Sequence, residues 1–179
     1  MRLRTIRAMR AILTTLCLLP LTAFAEDLPK RPSPMPQTTD GVPHVQIDVR
    51  AVPELSAALL KRVAELPGVE LGPTRVSLPG AVGFQLGQDE PLAHPEVIVG
   101  GREFAHLHPD GSLHASLKPS LAQNAVQAGW AIAHPWADQR EGWEGFVLIY
   151  TPTDEEELGI VIQLVEQSYS FVTGRVLEK

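Results

Sequence analysis

The stretch Glu103-Phe104-Ala105-His106-Leu107-His108-Pro109-Asp110-Gly111-Ser112-Leu113-His114-Ala115-Ser116-Leu117 constrains the fold more than any other part of the chain. Apolar and polar residues alternate on both sides of Pro109-Asp110-Gly111, the pattern of half-buried strands around a turn. Pro presets φ, Asp bonds its own backbone and Gly accepts positive φ, so a tight hairpin is predicted. Loop length then decides where the histidines point. A three-residue loop, Pro109 to Gly111, sets His108 opposite Ser112, Leu107 opposite Leu113 and His106 opposite His114. Opposed residues share a sheet face. Leu107, Leu113, Ala105, Ala115 and Leu117 make one apolar side. His106, His108, His114, Ser112 and Ser116 make the other. A loop one residue longer or shorter would send His114 to the apolar side. The expectation is three imidazoles on one face with Phe104 beside them, and Glu103 on the opposite face.

The rest of the chain supplies the layers. Pro53 to Leu66 has leucines and a valine at helical spacing and Pro67-Gly68 as a stop. Val45 to Val49 reads as a short edge strand. Thr74 to Leu78 and Val82 to Leu86 read as strands paired around Pro79-Gly80, and Val97 to Val99 as another. Pro119 to Gln127 predicts a second helix ended by Gly129. Trp130 to Trp136 reads as extended, because Pro135 disfavours helix at His134. Phe146 to Tyr150 is an apolar strand. Asp154 to about Thr173 is the longest helix, with Thr153 or Asp154 as its cap, acidic residues in its first turn and Gly174 as its end. Tight turns between strands imply a mostly antiparallel sheet. The fold class is α+β, with helices packed on one face and the histidine face partly open.

Outside this domain, residues 1–25 have the form of a Sec-type signal peptide. Arg2, Arg4, Arg7 and Arg10 precede an apolar run from Ala11 to Phe24, and Ala23-Phe24-Ala25 suits cleavage after Ala25. Residues 26–43 are rich in Pro and polar residues and read as a flexible linker, leaving 44–179 as one domain. A periplasmic or secreted protein follows, with no stable membrane span after cleavage. Cys17, the one cysteine, lies in the leader, so no disulfide, thiolate ligand or cysteine nucleophile is expected in the mature chain. Loss of the four arginines takes the net charge from −6 to about −10. So acidic a protein is a poor partner for nucleic acid.

The chemistry rests on imidazoles. Two at i and i+2 on one strand and a third across the ladder can converge on one ion. His106, His108 and His114 are thus candidate ligands for zinc or iron, with His134 as a fourth ligand or a supporting group. The other reading of the three is a solvated sheet face bonded to nearby hydroxyls. Without metal, a neutral imidazole could take a proton from an enol or a hydroxylated ring, oriented by Ser112, Ser116 or Tyr150. Trp136, with Trp130 and Trp143 nearby in sequence, could wall a pocket for a flat ligand, although Trp130 also suits a small core. No Walker loop and no G-x-S-x-G elbow is present.

His106-x-His108-Pro109, Gly111-Ser112-Leu113-His114, Gly129-Trp130, His134-Pro135, Gly145-Phe146-Val147 and Tyr150-x-Pro152 together resemble the luciferase-domain family, over about Pro67 to Arg175. The element order after Gly101 is also similar to MmcQ/YjbR-type domains, which implies a CyaY-like topology. The luciferase resemblance implies oxygen-dependent oxidation of a hydroxylated aromatic or enolic small molecule without flavin or nicotinamide. It implies His106, His108, His114 and His134 as catalytic residues; Phe104, Ser112, Ser116, Trp136 and Tyr150 are the candidate ligand-binding residues read from the pattern beside them. Either no cofactor or a divalent metal would serve. The alternative is a non-catalytic periplasmic module that binds a metal or small ligand through the same face.

Overall fold

The hairpin forms with the three-residue loop. In a computed structural model, which describes residues 28–177, His108 N–H donates to Ser112 O at 2.8 Å and Gly111 N–H to His108 O at 3.0 Å. Ala105, His106 and Leu107 face Ala115, His114 and Leu113. Gly111 takes φ 87°, as the turn requires. The two arms are β3 (Glu103–Leu107) and β4 (Leu113–Ser116).

Around them the chain builds one six-stranded sheet. In chain order its other elements are α1 (Pro53–Ala64), β1 (Val69–Pro73), β2 (Val82–Leu86), α2 (Pro119–Gln127), β5 (Ala131–Ala133), β6 (Phe146–Ile149) and α3 (Glu155–Thr173). The strand order is β1-β2-β3-β4-β6-β5, and every neighbouring pair is antiparallel. This is the α+β architecture read from the sequence.

The apolar face of the sheet carries the core. Phe84, Ala105, Leu107, Leu113, Ala115, Val147 and Ile149 are buried with Leu158, Val161, Val165, Tyr169 and Val172 of α3. Each large side chain buried there contributes roughly 1.5–3 kcal/mol. Asp154 caps α3 by accepting the Glu157 N–H at 2.8 Å, and Gly174 closes it at φ 74°. Ahead of β6, Gly145 lies so near the neighbouring chain that a Cβ there would sit 1.8 Å from Leu117 O.

One register shift re-aims two side chains. Phe84 pairs with Ala105, but Gln85 pairs with Glu103, so Phe104 is the extra residue of a bulge. Phe104 therefore turns into the core, 6.0 Å from Phe84 and 5.9 Å from Tyr169 between ring centroids. Glu103 moves to the histidine face. Strict alternation predicts the reverse for both, because it cannot anticipate a bulge.

Other departures have local causes. β1 lies at Val69–Pro73 rather than 74–78. Thr74 and Arg75 curl away to bond the Glu103 carboxylate. Pro95–Val97 forms a 3₁₀ turn where a strand was expected, and Val97 O accepts the Ser116 hydroxyl at 2.8 Å. The Val45–Val49 segment is no strand; one isolated bridge joins Thr38 to Gln46.

The Pro-rich segment expected as a linker lies along the domain from residue 28 onward. Arg31 N–H donates to Ala128 O at 2.8 Å, and its guanidinium pairs with Glu157 at 3.0 Å. Trp130 Nε1 donates to Pro29 O, and Gln46 Nε2 to the Thr151 hydroxyl, both at 2.6 Å. Composition argues that such a segment cannot order itself by apolar burial. It is ordered instead by polar bonds to a preformed surface. The leader read from 1–25 lies outside the described residues. Among those described, no helix is long and apolar enough to cross a membrane.

Candidate functional site

On the face away from α3, β3 and β4 present His106 and His114, and the turn presents His108. His134 follows β5, with its N–H bonded to Phe146 O at 3.0 Å. His44 arrives from the N-terminal segment. All five are buried, at 3–5 % exposure. The partly open, polar face anticipated from the sequence is thus covered, by residues 42–45, by 76–78 and by Val99. Between these covers and the imidazoles lies a cavity of about 260 Å³. Its wall includes His44, His106, His108, His114, His134, Trp136 and Phe146. That volume approaches the lower end for small-molecule pockets.

The imidazoles are in mutual contact. His106 Nε2 lies 3.0 Å from His114 Nδ1, and His114 Nε2 lies 3.3 Å from His44 Nδ1. His114 and His134 meet edge to face with centroids 4.6 Å apart. Carboxylates and amides outside the cluster set the tautomers. Glu103 Oε1 lies 2.9 Å from His106 Nδ1 and also accepts the Thr74 hydroxyl at 2.7 Å. Its Oε2 accepts the Arg75 N–H at 2.9 Å and the Gln85 amide at 2.6 Å. Burial pushes Glu103 up, but the bonds from His106, Arg75 and Thr74 outweigh it and hold the carboxyl below its usual pKa. An ionised carboxylate only accepts. His106 Nδ1 therefore carries a proton, and its Nε2 is turned to the cluster.

A second anchor has the same form. The Ser112 hydroxyl donates to Asp110 Oδ1 at 2.7 Å and lies 2.9 Å from His108 Nδ1. With its one proton spent on Asp110, Ser112 accepts from His108 Nδ1–H, leaving Nε2 free. His134 is arranged the opposite way. Its Nδ1 accepts the Trp136 N–H at 3.0 Å, so the neutral ring carries its proton on Nε2.

Burial and mutual repulsion disfavour the charged form at four of the five rings. Desolvation, then neighbouring imidazoles, lowers His108 to about 4 and His134 to about 3. The same causes push His114 well below its ordinary value, and burial lowers His44. Neutral imidazoles offer lone pairs to a proton or a metal and N–H groups to an anion. Two triads have ring nitrogens within 4.8 Å of one another, His106/His108/His114 and His44/His114/His134.

Of the side chains singled out in the sequence, His106, His108, His114, His134 and Trp136 meet at the cavity. Phe104, Ser112, Ser116 and Tyr150 do not line it. Phe104 is core. Ser112 holds His108 from behind, and Ser116 bonds Val97 O. Tyr150 is buried under Arg31, whose guanidinium carbon sits 5.6 Å from the ring centroid. Trp130 belongs to the main core, rather than to the pocket wall or a small separate core. His44, Glu103 and Phe146 were missed. His44 comes from a segment with no strand pattern, and Glu103 was hidden by the bulge. Phe146 pairs with Ser116, which marks its face once the β4–β6 register is known.

A buried imidazole cluster beneath a small cavity, on an antiparallel sheet backed by helices, offers the room and the donor atoms that a small molecule or a metal ion would need. Residues 101–168 match the model of the Luciferase domain, the family that the histidine hairpin resembles. It is 28% identical over 169 residues to a luciferase of Armillaria mellea, covering 83% of this chain and 62% of that one. A luciferase of Armillaria gallica is 30% identical over 168 residues, with the same coverage. One from Neonothopanus nambi is 31% identical over 96 residues, 48% of this chain and 35% of that one. The chain thus spans about 62% of the length of the first relatives it matches. No solved structure matches it.

Proposed function

We propose that this protein is a luciferase-like oxidoreductase that uses oxygen to oxidise a hydroxylated aromatic or enolic small molecule in the histidine-lined cavity. The observation that carries this reading is the cavity itself: a mostly apolar chamber lined by five imidazoles, within a chain similar to luciferases over most of its length. Trp136 and Phe146 supply flat apolar surface for a ring. An imidazole of the His106, His108, His114 and His44 group accepts the hydroxyl proton. The resulting enolate and imidazolium offset each other's charge in a dry site. The electron-rich ring carbon then forms a bond to O₂, which takes two electrons and becomes a bound peroxide anion. The imidazolium returns its proton to the distal oxygen, so substrate plus O₂ gives a hydroperoxide. His134 Nε2–H is the donor available to the anion throughout.

The same reading places the mature protein in the periplasm or outside the cell, on the strength of the basic and apolar leader. Mass spectrometry of the secreted chain should find Glu26 as its first residue.

Oxygen uptake tests the chemistry. Purified protein is supplied with a panel of hydroxypyrones and catechols, and uptake should be saturable in at least one. His114→Ala should reduce it by roughly 10²–10⁴-fold, the usual loss of a general base. Binding without uptake across the panel would leave a ligand-binding module and end the oxidation reading.

A further inference from the structure

We propose that His106 Nε2, His108 Nε2 and His114 Nδ1 form a binding site for one divalent first-row transition ion, with Glu103 and Asp110 as its outer carboxylates. This inference rests on donor geometry alone and goes beyond the proposed oxidation.

Two of the three rings already have the orientation of metal ligands. A ligating histidine almost always donates its other N–H to a carboxylate or carbonyl, which aims the free lone pair at the ion. His106 does so directly to Glu103. His108 does so through the Ser112 hydroxyl to Asp110. Both carboxylates are further tied down, Glu103 by Thr74, Arg75 and Gln85, and Asp110 by the Ser112 N–H at 2.9 Å and the Gln46 N–H at 3.3 Å.

The third ring completes the set. His114 Nδ1 faces His106 Nε2 at 3.0 Å. Without an ion, a proton on Nδ1 must fill that gap, since two lone pairs would repel. With an ion, the His114 proton moves to Nε2 and the His44 proton from Nδ1 to Nε2, so that His44 Nδ1 accepts from His114 across 3.3 Å. A tetrahedral ion with bonds of about 2.0–2.1 Å spaces its ligands by roughly 3.3–3.4 Å. One ring nitrogen from each of the three histidines lies within 4.8 Å of the other two, so adjustments on the order of 1 Å bring them to that spacing. All three rings border the cavity.

The rival triad His44/His114/His134 fails on the same reasoning. His134 Nδ1 is aimed at the Trp136 N–H. Ligation through Nε2 would put a proton on Nδ1 and set two donors against each other. Three imidazole nitrogens without thiolate suit zinc, copper, nickel or iron rather than magnesium or calcium.

The test is a Zn²⁺ titration of untagged, chelator-treated full-length protein, followed calorimetrically, with Co²⁺ absorption as a second probe. One saturable Zn²⁺ per chain and a tetrahedral or five-coordinate Co²⁺ spectrum are expected. His108→Ala should weaken Zn²⁺ by at least 100-fold, and Glu103→Gln by about 10–100-fold. His134→Ala should change it by less than threefold. Absence of saturable Zn²⁺ binding by the wild-type chain overturns the proposal whatever the variants do. Equal losses in His134→Ala and none in His108→Ala overturn the ligand assignment. No substrate enters the measurement, so its outcome is separate from that of the oxygen-uptake assay.

Discussion

Arg31→Ala should release the N-terminal segment from the domain at a cost the structure lets us estimate. The Arg31 and Glu157 side chains are 2% and 0% exposed and lie 3.0 Å apart. The guanidinium also donates to Thr151 O at 2.9 Å and Pro34 O at 3.1 Å. Removing one member of a buried pair typically costs about 3–5 kcal/mol, because the other charge is left uncompensated. Glu157 keeps the Thr153 N–H at 2.9 Å and the Thr153 hydroxyl at 3.0 Å, which argues for the lower end, about 3 kcal/mol. In a domain of this size that lowers the melting temperature by roughly 6–12 °C. Urea unfolding of the two proteins at neutral pH measures it. The difference should also depend on pH. Burial pushes Glu157 up, but bonds from Ser33, the Thr153 amide and Arg31 more than offset this, so its folded pKa lies below the ordinary value. Its contribution is present above the unfolded pKa of about 4.3 and is lost as pH falls through the folded value. Wild type and variant should therefore converge in acid. A neutral-pH loss below about 1 kcal/mol, or a difference that does not shrink in acid, would refute the claim that this ion pair holds the segment down.

Further tests bear on the fold and the cavity. Gly145→Ala should cost more than about 3 kcal/mol in urea unfolding, because its Cβ would meet Leu117 O at 1.8 Å and only backbone movement can relieve it. Phe104→Ala should cost about 3–5 kcal/mol as a core truncation; a ligand-wall residue would cost far less. Trp136→Ala removes apolar surface from the cavity and should raise the KM for oxygen uptake about 10-fold or more at little cost in stability. A change in kcat alone would mean that Trp136 does not contact the substrate.

Local chemistry was enough to read the hairpin. Pro109-Asp110-Gly111 dictates loop length, loop length dictates register, and register brings His106 and His114 opposite each other. The helices were equally legible, because an apolar stripe at helical spacing, a capping Asp154 and a closing Gly174 are all local signals. The α+β class followed from those elements in order.

Three features depended on contacts distant in sequence. The bulge at Phe104 arises where β2 and β3 must keep Phe84 and Phe104 in one core, and it carries Glu103 to the imidazoles. His44 joins the cluster across 70 residues of chain, through a segment whose composition offers no strand or helix signal. The cover that turns an open histidine face into a cavity is held by Arg31, Gln46 and Asp110, each bonded to a distant partner. The sequence by itself determined the hairpin, the helices and the three-imidazole face, because backbone preference and periodicity act over a few residues. Only the tertiary structure decided that the face is buried, anchored by two carboxylates and joined by His44. Those outcomes depend on which far-separated polar groups find each other as water is excluded.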